Sequence, residues 1–147
     1  MSGETSRESG SQATFRARND LGELARLHEF LSGFSARHCL SPDLEADCEL
    51  AVEEIFVNVV RYGYPQGGEH GIDVSVALEH GVVTLTVEDD GVAFNPLTAK
   101  PTDLELPLEA RGIGGLGIHL VMQVIDDLAY ERVGDRNRMV MRKKVAS

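Results

Sequence analysis

The sequence predicts an α+β protein: a two-layer α/β sandwich in which a mixed, mostly antiparallel sheet is covered on one face by helices. Three observations predict it. Two pairs of alternating apolar–polar segments are each joined by a short turn, which makes neighbouring strands antiparallel. Three further segments repeat their apolar residues at helical spacing. The order β-α-α-β-β-loop-α-β-β then gives one sheet and one covering layer. At 147 residues the chain is about one domain.

Each element has its own local reason. Residues 1–12, MSGETSRESGSQ, are Ser-, Gly- and Glu-rich and are expected to be a flexible segment, followed by a single domain over residues 13–147. Phe15 and Ala17 alternate with Thr14, Arg16 and Arg18, a short strand. Asp20 followed by Glu23 starts a helix, and Leu21, Leu24, Leu27, Phe30, Leu31 and Phe34 continue it to about Arg37. Ser41-Pro42-Asp43 starts the next with a capping hydroxyl, a proline at the first helical position and an acidic first turn. Its stripe of Leu44, Cys48, Ala51, Val52, Ile55, Phe56, Val59 and Val60 ends near Tyr62, before the turn-rich Gly63-Tyr64-Pro65-Gln66-Gly67-Gly68.

Ile72–Leu78 and Val82–Glu88 are strands across the turn Glu79-His80-Gly81. From Asp89 to Arg111 no period is sustained and three prolines intervene; a lid is expected at about residues 92–114. The cluster Gly112-Ile113-Gly114-Gly115-Leu116-Gly117 then opens a helix with Leu120, Val121, Val124, Ile125 and Leu128 at helical spacing. Residues 128–133 and 138–145 close the chain as a hairpin across Gly134-Asp135-Arg136-Asn137, whose basic residues read as a solvated edge.

Composition excludes several classes. Asp and Glu number 24 against 14 Lys and Arg, a formal charge of −10. Such a surface repels phosphate backbones, so no nucleic-acid partner is expected. No apolar run approaches the roughly 20 residues of a membrane helix. The N-terminus lacks the apolar segment of a signal peptide, and two cysteines make neither a disulfide framework nor a zinc site. A cytoplasmic protein with no membrane partner is expected.

Three constellations can carry chemistry. Glu54 and Asn58 lie four apart, hence together on one helix face. A carboxylate beside an amide oxygen suits Mg²⁺, which prefers hard oxygens and keeps waters and phosphates in its shell. Alone, the pair also reads as the charged flank of an amphipathic helix. In Val87-Glu88-Asp89-Asp90-Gly91 a strand ends at carboxylates, and a buried one there would accept a hydrogen bond from an exocyclic amine such as adenine N6. Alone, it also reads as an acidic turn. The glycine cluster presents backbone N–H groups at a helix start, where phosphate binds well, but it also reads as a hinge. Gly112, Gly114 and Gly117 formally satisfy G-x-G-x-x-G, yet follow a long loop rather than a strand, so the dinucleotide reading is rejected.

Taken together and in this order, the three resemble the GHKL ATPase superfamily, with its Bergerat fold. ELAVEEIFVNVVRYGYP is similar to the N box, VEDDGVAFNP to the first glycine box and GIGGLGIHLV to the second. The details most resemble the anti-sigma factor serine/threonine kinase family, with its histidine-kinase-like ATPase domain. The resemblance implies ATP and Mg²⁺ as cofactors. It implies Asn58 as the Mg²⁺ ligand and Glu54 as the catalytic base. It implies Asp89 as the reader of adenine with Gly91 beside it, and Gly112, Gly114, Gly115, Leu116 and Gly117 on the phosphate side. It further implies a kinase that phosphorylates a STAS-domain anti-sigma factor antagonist, sequesters a sigma factor and forms a homodimer. The alternative is a nucleotide-gated, partner-binding regulator with little kinase activity. Three positions depart from the family pattern: Tyr62 where His is frequent, Ala93 in place of a glycine, and Asn95 in place of Asp.

Overall fold

The computed structural model describes residues 6–9, 11–98 and 114–145. Six strands form one sheet: β1 (Ser6–Ser9), β2 (Gln12–Arg18), β3 (Gly71–Glu79), β4 (Val82–Asp89), β5 (Asp127–Val133) and β6 (Arg136–Lys144), in the order β1-β2-β3-β4-β6-β5. Every ladder among the described residues is antiparallel, so the sheet is not mixed. Helices α1 (Leu24–Arg37), α2 (Pro42–Tyr62) and α3 (Gly114–Val124) supply the second layer. The two-layer α/β sandwich is therefore as the patterning predicts. One element lies where the composition suggests a loose segment: Ser6–Ser9 pairs with Gln12–Phe15 as an edge strand.

Strand alternation decides which face is covered. Ala13, Phe15 and Ala17 of β2, Ile72, Val74 and Val76 of β3, and Val83, Leu85 and Val87 of β4 are all buried, joined by Met139 and Met141 of β6. They form one core with Leu27, Leu31 and Phe34 of α1, Leu44, Cys48, Ala51, Val52, Ile55 and Phe56 of α2, and Val121 of α3. The opposite face carries a chain of ion pairs instead. Arg16 meets Asp73 at 2.8 Å, Asp73 meets Arg136 at 3.0 Å, and Glu88 meets Arg136 at 3.5 Å and Arg138 at 2.7 Å. The basic residues of the last hairpin thus lie partly inside the sheet, β6 between β4 and β5, and the edge expected there is β5 alone.

Helix starts follow the signals in the sequence. Ser41 Oγ accepts the Leu44 N–H at 3.2 Å, with Pro42 in the first turn. The Asp20 start differs in detail. Asp20 Oδ1 accepts the Gly22 N–H at 2.9 Å and caps a 3₁₀ turn, Leu21–Glu23, before α1 begins. Glu23 is buried and reaches back to accept the Arg18 N–H at 3.1 Å. No helix among the described residues is long and apolar enough to cross a membrane.

Candidate functional site

The site lies where the C-terminal halves of α2 and β4 meet the first turns of α3. Strand alternation continues past Val87, so Asp89 takes the next inward position although it is charged; it is 2 % exposed. Helical spacing likewise turns Glu54 and Asn58 inward beside Ile55, at 7 % and 3 % exposure. A cavity opens beside Asn58 and Asp89. Asn58, Asp89 and Asn137 are its polar walls, and Ile55, Val87, Phe94 and Met139 are among its apolar ones. A mostly apolar slot with a few convergent polar groups has the form of a ligand site.

Asp89 is held rigidly. Its Oδ1 accepts the Gly91 N–H at 2.8 Å and the Asn137 amide at 2.9 Å. Gly91 packs so closely that a Cβ there would clash with the Gly63 carbonyl oxygen, and that same carbonyl accepts the Val92 N–H at 2.9 Å. The turn after β4 is thereby locked to the end of α2. Beside it Tyr64 donates to Asp90 at 2.9 Å and stacks on His70 at 4.3 Å. The Tyr64 hydroxyl, with burial as the main cause, holds its proton more tightly than usual, while its hydrogen bond holds the Asp90 carboxyl below the ordinary range.

Glu54 is the opposite case. Its Oε1 is buried and has no hydrogen-bond partner among the described residues. Burial, with the neighbouring Glu53 charge added and Arg61 opposing, raises its pKa. A carboxylate so placed gains from any incoming proton donor, which is the condition of a general base. Gly117 is fitted against it: a Cβ at that position would overlap Oε1. Glu53 is exposed on another side of α2, lining a groove with Leu24, His28 and Leu31 of α1.

These residues fit a magnesium nucleotide on their own chemistry. Asn58 offers a hard amide oxygen at the cavity wall, and the partnerless Glu54 oxygen lies one helical turn away. Among the described residues no group of three or more His, Cys, Asp or Glu could hold a metal ion. An ion here would therefore take most of its ligands from phosphate and water, the usual preference of Mg²⁺.

The structure brings together Glu54, Asn58, Asp89, Gly91 and Gly117. Gly114, Gly115 and Leu116 lie in the first turn of α3. Gly112 and residues 99–113 of the expected lid lie outside the described residues. Sequence reasoning missed Asn137, Tyr130 and Arg132. Asn137, 6 % exposed, donates to Asp89 and to the Val92 carbonyl at 2.9 Å. Its own oxygen accepts from the Tyr130 hydroxyl and from Arg132 at 3.2 Å, and Arg132 also donates to the Gly91 carbonyl at 2.8 Å. Two departures from the family pattern also find places. Asn95 Oδ1 accepts the Leu97 N–H at 2.9 Å, an acceptor role that Asp would fill equally, and the Tyr62 ring lies 5.3 Å from that of Phe94.

Comparisons with known proteins give the family. The family model described as "Histidine kinase-like ATPase domain" matches residues 17–143. The chain is 30% identical over 103 residues to the serine-protein kinase RsbW of Bacillus mycoides, covering 67% of this chain and 63% of that one. It is 32% identical over 103 residues to the serine-protein kinase RsbW of Listeria monocytogenes, covering 67% and 65%. The match thus spans just under two thirds of the length of these curated relatives. Among solved structures, the Acinetobacter baumannii histidine kinase AdeS is similar in fold, with a TM-score of 0.50, 16% identity, and coverage of 90% of this chain and 68% of that one. With the family model spanning residues 17–143, the chain belongs to the histidine kinase-like ATPase domain family.

Proposed function

We propose that this protein is an ATP-dependent protein serine kinase that doubles as an anti-sigma factor. It would phosphorylate a STAS-domain antagonist, sequester a sigma factor and act as a cytoplasmic homodimer. One observation carries the kinase reading: the buried Glu54 oxygen, without a hydrogen-bond partner among the described residues, lies one helical turn from Asn58, which lines the cavity together with Asp89. A buried carboxylate oxygen without a partner costs stability, and beside Asn58 it is placed to receive a proton; Glu49 Oε2 is buried the same way but lies in the groove against α1, away from the cavity. The likeness to proteins named serine-protein kinase supports the same reading.

In this mechanism Asp89 accepts the exocyclic amine of adenine, and Gly91 lets the turn beside it close against Gly63. The backbone of Gly114, Gly115, Leu116 and Gly117 would face the phosphates from the start of α3, with Gly112 preceding them in sequence. Asn58 would hold Mg²⁺ through its amide oxygen, and the ion would supply neutralisation of phosphate charge. Glu54 takes the proton of the substrate serine hydroxyl. The serine oxygen then bonds to the γ-phosphorus, the bond from that phosphorus to the bridging oxygen breaks, and ADP leaves. Most of the rate gain comes from positioning and charge neutralisation.

The test is transfer from γ-labelled ATP to candidate STAS-domain proteins. Label on an antagonist serine supports the kinase. Tight binding of ATP and of a client without any transfer would make the nucleotide-gated regulator the correct account.

A further inference from the structure

We infer that Asn137 determines base specificity: it makes the stretch of cavity wall around Asp89 acceptor-only, so that an amino-bearing purine is taken and a 6-oxo purine refused. The inference rests on the nucleotide-binding reading above, and deepens it at a residue outside the three sequence boxes.

A neutral amide beside a base pocket ordinarily defeats such selectivity. It can donate to an oxo group or accept from an amino group, whichever the ligand presents. Here both donor hydrogens of Asn137 are used, one on Asp89 Oδ1 and one on the Val92 carbonyl, each at 2.9 Å. Nothing is left to donate to a ligand. The orientation is fixed from the other end, where Tyr130 donates its hydroxyl to Asn137 Oδ1 and Arg132 donates Nη1 at 3.2 Å. A flipped amide would set its oxygen against a carboxylate and a carbonyl, and its N–H groups against the Arg132 guanidinium and the Phe94 N–H, which donates to Asn137 Oδ1 at 3.4 Å. Only the Tyr130 hydroxyl could turn to accept, so the observed orientation is strongly preferred.

Asp89 is constrained by the same network. Its Oδ1 takes two hydrogen bonds, from Asn137 and from the Gly91 N–H. The carboxylate can therefore neither rotate nor draw its second oxygen away from a ligand cheaply. The register explains how the residues meet: Asp89 pairs with Asn137 across β4 and β6, and Arg132 pairs with Asn137 across β5 and β6. Asn137 positions Asp89; it is not a reacting group.

Binding of ATP, inosine triphosphate and tripolyphosphate to wild type, Asn137→Ala and Tyr130→Phe tests this by calorimetry. Inosine triphosphate carries a 6-oxo group in place of the amine, and tripolyphosphate reports the phosphate side alone. Deleting the amide frees Asp89 and admits water, which can donate to an oxo group. Asn137→Ala should shrink the preference for ATP over inosine triphosphate by roughly tenfold or more, the effect of one buried polar partner lost. Tripolyphosphate affinity should stay within about twofold, since this readout would move if the fold were merely loosened. Tyr130→Phe keeps the ring and removes one orienting donor; the preference should fall in the same direction by a smaller factor, and it decides the matter if Asn137→Ala does not fold. An unchanged preference in the folded variants overturns the role of Asn137 while leaving nucleotide binding intact. A wild type that binds no nucleotide overturns both.

Discussion

Gly117 and Glu54 are complementary: the first turn of α3 comes so close to α2 that any side chain at 117 would occupy the space of the Glu54 carboxylate oxygen. The glycine of the second glycine box is thus explained by the carboxylate of the N box. Gly117→Ala should push that carboxylate aside without altering its charge. The end of a flexible side chain can give way, so the fold should survive. We expect phosphoryl transfer to fall by roughly 10²-fold or more, as when a base is misplaced, with Tm changed by only a few degrees. Single-turnover transfer beside thermal melting checks this; a wild-type rate would show that the fit of the two residues is incidental.

Asn58→Ala should lose the Mg²⁺-dependent part of ATP binding and keep the fold. Asn58 is buried on the cavity wall, where its amide oxygen is the hard ligand nearest Glu54 in sequence. Titration of ATP with and without Mg²⁺ measures it. Equal Mg²⁺ enhancement in the variant and the wild type would remove Asn58 as an ion ligand.

Asp89→Asn should weaken ATP far more than tripolyphosphate. The amide brings donors where the ligand presents one, and places a donor or a lone acceptor against Asn137. A loss of roughly 10–100-fold for ATP is expected, the range for a buried polar mismatch. Equal losses for both ligands would mean that Asp89 supports the fold rather than reading a base.

Much of this site is legible in the sequence, for a physical reason. Glu54, Asn58 and Asp89 sit on elements whose period is unambiguous, a helix of 21 residues and a strand that alternates to its end, so their inward direction follows from counting. Asn137 is not legible in the same way. Gly134-Asp135-Arg136-Asn137 has the composition of a loop, yet the chain turns on Gly134 and Asp135 alone, with Gly134 at φ +62°. That two-residue turn sets Asn137 in β6 opposite Asp89, and turn composition cannot reveal which residues of such a run belong to the strands. Ser6–Ser9 is missed for a related reason: its strand comes from pairing with β2, not from any apolar pattern of its own.

Glu54 also leaves a mark on stability. Its pKa is raised in the folded protein by burial and by Glu53, so the folded state disfavours the ionised form. At acid pH, below the ordinary glutamate value, the group is protonated folded or unfolded and carries no penalty. As pH rises through the raised folded pKa the penalty becomes complete, and stability is lost. Glu54→Gln should therefore melt higher than wild type near neutral pH, by roughly 2–4 °C, with the difference vanishing toward pH 4. Melting curves over that window check it; a variant less stable at neutral pH would contradict the account of a strained base.

The central claim is that Glu54 takes the proton of a substrate serine. Its most direct test is single-turnover phosphorylation of a STAS-domain antagonist by wild type, Glu54→Gln and Glu53→Gln, each titrated with ATP in parallel. Glu54→Gln keeps the shape but cannot accept a proton at neutral pH, and should lose roughly 10²–10⁴-fold in rate with ATP affinity little changed. Glu53, exposed and turned toward α1, should be replaceable without comparable loss. If Glu54→Gln transfers phosphate at the wild-type rate, Glu54 is not the base.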